Sequence, residues 1–425
     1  MLSKIVQIWK AKDLRKDVLF ILGLLVVFRL AAHIPVPGVN VAALQGFFQS
    51  NQILGLLNVF SGGSMENFSI VMMGVAPYIT SSIIFQLLAM IIPALEEMNK
   101  EESGRQKINM WTRWLTVPLA LMQSFGMLAI LRSSSTQIIS DNISGLSILG
   151  MLITITSGTV FLMWVGELIT EKKIGNGISL LIFAGIVASL PKTVQQIAAT
   201  FDMSQLFLIA GYIIIALVTV VGVVIITEGQ RNIPVQYAKQ IRGTRTYGGS
   251  TTHLPLRVNM AGVIPIIFAI SVILFPPMVA QFFIGAKSAW LANLAHSTIN
   301  LFQNNQLFYG VTYFLLVFAF TYFYTEVIFH PTQIAENLQK QGGFIPGIRP
   351  GKATSDYLAK TTYKIILIGA LFLGAIAVLP LVLKYFTGIQ SLTIGGTSLL
   401  IVVAVVIETV KQIEAQLTMR EYEGM

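Results

Sequence analysis

Residues 58–93 read NVFSGGSMENFSIVMMGVAPYITSSIIFQLLAMIIP, and the two parts of this stretch follow opposite rules. From Val71 on, the letters are mostly apolar and long enough to predict a membrane-spanning helix. Before them, Ser61, Gly62, Gly63, Ser64, Met65, Glu66, Asn67, Phe68, Ser69 and Ile70 form a short polar segment with a glycine pair near its start. One reading is an ordinary external loop that caps the helix. The other is a segment kept inside the membrane plane, because polar backbone at that depth is tolerated where it lines a water-filled cavity.

The rest of the chain has the character of the apolar half. Of its 425 residues, 54% are hydrophobic and 11% charged, and the mean hydropathy is +0.74. A soluble domain is about a quarter charged, so the sequence describes a polytopic membrane protein. The opening MLSKIVQIWKAKDLRKDVLFILGLLVVFRLAAHIPVPG sets a basic region before an apolar run. Its long charged region and its HIPVPG exit fit an uncleaved first span better than a cleaved signal. The absence of cysteine excludes a disulfide framework and thiol chemistry. His33, His253, His296 and His330 are far apart and have no metal-binding spacing.

Ten segments are apolar enough for helical spans, near residues 18–34, 71–92, 111–131, 146–166, 178–199, 205–227, 260–283, 307–329, 362–383 and 393–410. The predicted fold class is therefore an all-α polytopic membrane protein with ten transmembrane helices. With the N-terminus inside, only Arg132, Lys192, Lys287 and Lys384 fall in outside loops and only Arg29 falls well within a span. The other 23 of the 28 lysines and arginines lie inside. That asymmetry obeys the positive-inside rule and puts both termini in the cytoplasm. Two inside loops, residues 228–259 and 330–364, exceed what topology needs, and basic loops of that length suit an acidic partner or an RNA phosphate surface.

Several chemistries are excluded. GIRPGK ends in Lys352-Ala353 and has the wrong glycine spacing for a phosphate-binding loop, so the chain carries no ATP motif. Gly177-Ile178-Ser179 has no histidine within a span to serve as base, and the chain reads as a non-enzyme without a cofactor. Arg29 is the clearest mid-span charge, with Glu167, Glu326 and Glu408 near span ends, a poor set for an ion pathway.

A faint internal echo remains. Gly74-Val75-Ala76-Pro77-Tyr78-Ile79 opens the second span and Gly262-Val263-Ile264-Pro265-Ile266-Ile267 the seventh. Ser179-Leu180-Leu181-Ile182 opens the fifth and Ser398-Leu399-Leu400-Ile401 the tenth. An offset of five spans inverts the second copy relative to the first, as in folds whose two halves enclose a pathway. The shared positions are aliphatic. Plain helix packing is one account of them, and a dry constriction of a pathway the other. An inverted-repeat secondary transporter of a small solute is a further reading of the same pattern.

Longer stretches carry a family resemblance: VFRLAAHIPVPGV (27–39), FSGGSMENFSI (60–70), PYITSSIIFQLL (77–88), ESGRQKI (102–108), FLMWVGELITEKKIGNGISLLIFAGIVASLP (161–191), STTHLPLRVNMAGVIP (250–265), GGFIPGIRPGKAT (342–354) and GGTSLLIVV (395–403). Over nearly its whole length the chain resembles the SecY/Sec61 family of protein-conducting channels. The resemblance implies two inverted, pseudo-symmetric five-helix halves around a central pore, residues 1–200 and 201–425. It implies a pore ring of Val75, Ile79, Ile178, Ile182, Ile267 and Ile401, with Val75 in place of the usual isoleucine. It makes residues 61–70 a re-entrant plug helix. It sets a lateral gate between spans two and three and spans seven and eight, where Gln86, Gln123 and Asn259 are expected to form a polar cluster. The implied function is passage of unfolded polypeptide across the bacterial cytoplasmic membrane, with lateral release of hydrophobic segments into lipid. The implied partners are the SecE and SecG membrane subunits, the SecA motor ATPase, the ribosome with its RNA surface, signal peptides and preprotein chains, and membrane lipids. Lys239, Arg242, Arg245 and Arg349 are the expected cytoplasmic docking residues.

Overall fold

The computed structural model describes residues 11–50, 58, 61, 63–132, 138–139, 144–199, 206–237, 240–242, 245–247, 251–303, 305–387 and 395–423. The first half contains helices α1 (Lys12–Ala31), α2 (Val41–Ser50), α3 (Ala76–Ile91), α4 (Pro93–Lys100), α5 (Glu102–Arg132), α6 (Gly145–Glu171) and α7 (Gly177–Ala199). The second contains α8 (Leu206–Glu228), α9 (Ile264–Gln281), α10 (Ala289–Gln303), α11 (Gln306–Ile328), α12 (Pro331–Lys340), α13 (Lys352–Thr387) and α14 (Gly395–Glu423). Every one of the ten expected apolar segments lies on a helix, namely α1, α3, α5 to α9, α11, α13 and α14.

Length and composition divide these ten. Five described helices are individually long and apolar enough to cross a bilayer: α5, α6, α8, α11 with α12 behind it, and α13. The pair α3 and α4 adds a sixth if its 108° bend is counted as a break within one span. The bend has a simple cause. Ile92 precedes Pro93, and a residue before proline is pushed out of the helical region; its φ is −103° and its ψ 109°. Helix α1 has the right length, but it opens on Lys12, Asp13, Arg15, Lys16 and Asp17 and ends near Arg29. The apolar parts of α7 and α9 are shorter, at Gly177–Pro191 and Ile264–Ala280.

The internal echo has a backbone counterpart. Gly74 takes φ +57° and Gly262 φ +63°, a left-handed conformation that glycine adopts without the steric cost of a Cβ. The next residues match as well: Val75 has φ −96° and ψ 3°, and Val263 has φ −93° and ψ −9°. Each helix then starts with proline in its second position, where a missing N–H costs nothing. The two GVxPxI copies are thus the same chain reversal into a helix, made twice.

The membrane body is helical, as expected, but the two long loops are not irregular and fold into small sheets. Strand β1 (Gln230–Tyr237) pairs antiparallel with β4 (Thr251–Arg257) and on its other edge with β5 (Gly343–Phe344). Between β1 and β4, β2 (Gln240–Arg242) pairs with β3 (Arg245–Tyr247). The alternating burial of β1 turns Ile233 and Val235 inward, where they meet Leu256, Leu338, Ile345 and Leu358 in a separate apolar cluster. Loop 330–364 therefore contributes an edge strand to the hairpin of loop 228–259, and the two form one body.

The main core is a single apolar cluster that includes residues from α1, α3, α6, α7, α9, α11, α13 and α14. A second cluster lies beside it, around Met65, Phe68, Met72 and Met73, with Met127 and Leu131 of α5 and Met151 and Ile155 of α6.

Candidate pore and gate

Five of the six expected ring residues fall in the main core cluster and the sixth packs against it. Val75, Ile79, Ile182, Ile267 and Ile401 are buried, and Ile178 packs half-buried against them. They come from the starts of α3, α7, α9 and α14, the four helices that open the two echoed motifs. Two cavities approach this waist from opposite directions. One, of about 420 Å³, is the more polar of the two and is lined by Gln86, Asn109, Arg113, Glu167, Glu171, Asn176 and Ile178 among others. The other, of about 100 Å³, is lined by Met65, Val75, Gln123, Met127, Ile182 and Met278 among others. Ile79 and Ile267 line both. Aliphatic side chains from different helices therefore divide two voids, and they offer water no hydrogen-bond partner at the division.

The polar cavity is braced by charge. Arg113 Nε donates to Glu167 Oε1 at 2.6 Å, tying α5 to α6. At the turn between α6 and α7, Gln416 Nε2 of α14 donates to the carbonyls of Lys172 and Lys173 at 3.3 and 2.8 Å. The Gly175 N–H donates to Gln412 Oε1. This turn needs Gly175, whose φ is +106°, and two glutamines one helical turn apart fix it to α14.

The polar segment before α3 behaves differently from the expected short helix. Residues 63–68 are successive turns. Its serines are not turned to water: Ser64 and Ser69 are 0% exposed. Most of their polarity is spent internally, although Ser69 Oγ is buried without a hydrogen-bond partner among the described residues. Ser64 Oγ lies within donating distance of the Ser61 and Val71 carbonyls, at 2.6 and 3.1 Å, and the Ser69 N–H donates to the Ser64 carbonyl. Asn58 anchors the start, accepting from Ser61 Oγ and Gly63 N–H on its carbonyl and from Glu66 N–H on Oδ1. Gly63 takes φ +76°, as a glycine hinge requires, while Gly62 lies outside the described residues. Phe68 is buried at φ +45°, a conformation that costs a non-glycine residue on the order of 1–3 kcal/mol unless its surroundings enforce it. Here they do: Val36 N–H donates to the Phe68 carbonyl at 2.8 Å and Ile70 N–H to the Ile34 carbonyl at 3.0 Å. A Cβ on Gly158 of α6 would stand 1.9 Å from the Ile70 carbonyl oxygen, so that glycine admits the end of the segment. Asn58 and Gly158 were not singled out from the sequence, because their roles arise from contacts with chain that is distant or irregular.

Gln86, Gln123 and Asn259 lie around the seam between α3, α5 and α9 but belong to different surroundings. Gln86 faces the polar cavity and donates to Ser82 Oγ at 3.0 Å, whereas Gln123 lines the other cavity. Asn259 Nδ2 donates to the Gly262 carbonyl at 3.2 Å. Gln86 Oε1 and Asn259 Oδ1 are buried without a hydrogen-bond partner among the described residues. Near the Phe282 end of α9 the contacts with α5 are apolar. The rings of Phe125 and Phe282 stack at 5.5 Å, and Gly126 lets Met278 approach α5.

Of the expected docking residues, Lys239 lies outside the described residues. Arg242 and Arg245 are backbone register partners where β2 meets β3. Arg349 is exposed on the turn between β5 and α13, with Thr354 Oγ1 donating to its carbonyl at 2.9 Å.

Paired helix starts thus bring aliphatic residues between two cavities of an apolar helical body, and the class of the fold follows from its relatives. The chain belongs to the SecY family, whose model matches residues 69–410. It is 45% identical to the protein translocase subunit SecY of Halalkalibacterium halodurans and 44% identical to that of Corynebacterium glutamicum. Each alignment covers all of this chain and at least 99% of the relative. Its fold is also that of solved channels at low identity. A structure described as a protein conducting channel matches with TM-score 0.63 and 17% identity, over 93% of this chain and 91% of that one. Sec61 in a canine ribosome-channel complex matches with TM-score 0.58 and 16% identity, over 92% and 90%. These relatives support a protein-conducting channel and give no support to the solute-transporter alternative.

Proposed function

We propose that this chain forms the channel through which unfolded polypeptide crosses the bacterial cytoplasmic membrane, with hydrophobic segments leaving sideways into lipid. The observation that carries the reading is the aliphatic division between two cavities, with Ile79 and Ile267 shared by both. An extended chain in hydrocarbon leaves its backbone groups unpaired at several kcal/mol each. Cavities on both sides shorten the dry passage to the depth of the ring. The ring residues fit around a moving chain without hydrogen-bonding to it, so they neither hold it nor let water through freely.

In this reading residues 61–70 are the plug, seated under the ring through Met65 and tied by Val36 and Ile34. One solved relative of the fold, at 17% identity, is described as having a plug domain that stabilises the closed state and maintains a membrane seal. Ten spans in two inverted halves, 1–200 and 201–425, with both termini cytoplasmic, fit the helix positions and the charge distribution. The seam between α3, α5 and α9 is the lateral gate, with Gln86, Gln123 and Asn259 as its polar members. The sheet that joins loops 228–259 and 330–364 is the cytoplasmic docking body for a motor ATPase such as SecA or for the ribosome. Ribosome-bound neighbours of this fold, canine Sec61 and yeast Ssh1, support the latter. SecE and SecG are the proposed membrane partners.

Co-reconstitution with SecE and SecA, scored for preprotein translocation into vesicles, tests the reading. Translocation that depends on this chain is the expected result. Saturable uptake of a small solute without translocation would point instead to a transporter.

A further inference from the structure

Helix α10, between α9 and α11, is absent from the pathway described above. It is divided lengthwise into three sectors. Ala295 and the half-buried Leu291, Ala292, Ile299 and Phe302 face the protein, and Phe302 is fixed edge-on to Phe308 of α11 at 5.3 Å. Trp290, 69% exposed, forms a mainly apolar stripe with the exposed Leu294 and Leu301, interrupted by the exposed Ser297. Asn293, His296 and Asn300 form an exposed polar stripe, about 100° round the helix from the apolar one at 3.6 residues per turn.

A helix that meets water on its free side has no need of an unpartnered Trp-Leu-Leu stripe. One that lies in a headgroup layer needs three directions, toward protein, hydrocarbon and water, and α10 has all three. Two further observations choose lipid over a protein partner. The chain on both sides of α10 also carries exposed apolar side chains, Phe282 and Phe283 before it and Leu307 and Val311 of α11 after it. Residues 281–325 also contain no aspartate or glutamate, and the formal cation near α10 is Lys287, a balance suited to phosphate headgroups. Tryptophan with a polar flank is enriched at this depth of a bilayer.

We propose that α10 lies in the headgroup–acyl boundary of the outer leaflet, with Trp290, Leu294 and Leu301 toward the acyl chains and Asn293 and His296 toward water. It thereby moors the outer end of α9, whose Phe282 meets Phe125 across the seam. The inference rests on the proposed topology for the choice of leaflet.

The chain lacks cysteine, so single nitroxide labels can be attached to W290C, L294C, L301C, N293C and H296C in the complex reconstituted into phosphatidylglycerol–phosphatidylcholine vesicles. Collisions with dissolved oxygen should exceed those with a water-soluble nickel chelate several-fold more at 290, 294 and 301 than at 293 and 296. Equal, water-like accessibility at all five would overturn the proposal. So would low accessibility to both reagents at 290, 294 and 301, which would mean that a protein subunit covers the stripe. A K287C variant labelled in sealed vesicles with an impermeant thiol reagent reports the side of the membrane separately. Labelling from the cytoplasmic side there would overturn the topology, whatever the depth of α10.

Discussion

The ring of Phe125 on α5 stacks on that of Phe282, the residue that caps the outer end of α9, with centroids 5.5 Å apart and planes 16° from parallel. The two residues come from different proposed halves. Such pairs are worth about 0.5–1.5 kcal/mol beyond the area they bury, or roughly 2- to 12-fold in the balance between a closed and an open seam. Phe125→Ala should therefore raise translocation of a preprotein with a weakened signal sequence several-fold and leave that of a good signal nearly unchanged. An unchanged ratio between the two substrates would show that the stack does not hold the seam.

The ring prediction follows from the shared lining of the two cavities. Ile79, Ile182 and Ile401 are buried on α3, α7 and α14. One serine among them should be tolerated, because the neighbours can move inward. All three together hydrate the division. The triple variant should conduct ions in a planar bilayer without a translocating chain, and conductance as silent as wild type would reduce these residues to helix packing.

Gly158 offers an independent handle on the 61–70 segment. Any side chain there collides with the Ile70 carbonyl, since a Cβ would be 1.9 Å away. Gly158→Val should displace the end of the segment while α6 itself remains a helix, and the channel should leak ions at rest. Protease mapping of the Ile34–Ile70 region in the folded complex would detect the displacement directly. A tight, unaltered channel would mean that α6 shifts instead.

Arg349 tests the docking body. Its turn is set by Gly347 at φ +81° and Gly351 at φ +95° and flanked by Pro346 and Pro350, so the guanidinium is offered from a stiff backbone. Arg349→Glu should abolish motor-driven translocation while the protein still inserts and binds its membrane partners. Arg349→Lys should recover part of the rate only, because lysine lacks the forked donor. Near wild-type translocation by Arg349→Glu would leave it as a topology charge.

The orientation is checked by labelling in intact cells. A cysteine in place of the exposed Lys287 should react with an impermeant thiol reagent, and one in place of the exposed Gln341 should not. Equal reaction at both positions would refute the proposed direction of the spans.

The positions of the ten helices were legible in the sequence because each apolar run carries its own solvent preference, whatever lies beside it. The GVxPxI echo was legible for a similar reason. A left-handed glycine followed by a proline in the first helical turn is a local backbone event, and Gly74 and Gly262 repeat it at φ +57° and +63°. The ring residues could be numbered from the family resemblance, but letters alone could not choose between a pore constriction and ordinary packing. That depends on which voids lie above and below Ile79 and Ile267.

The tertiary structure decided what no local pattern encodes. The serines of residues 61–70 suggested a wettable segment. They are buried instead: Ser61 and Ser64 bond carbonyls of Asn58, Ser61 and Val71, and Val36 and a notch at Gly158 hold the Phe68–Ile70 end of the segment in place. Two loops that read as separate basic stretches share a sheet, because the two residues of β5 complete the edge of β1. Gln86, Gln123 and Asn259 share a seam yet meet different surroundings. Burial and hydrogen-bond pairing depend on distances between residues far apart in the chain, so composition and spacing determined where the apolar helices run, and packing alone determined what surrounds Ile79 and Ile267, the 61–70 segment and the polar residues near α3, α5 and α9.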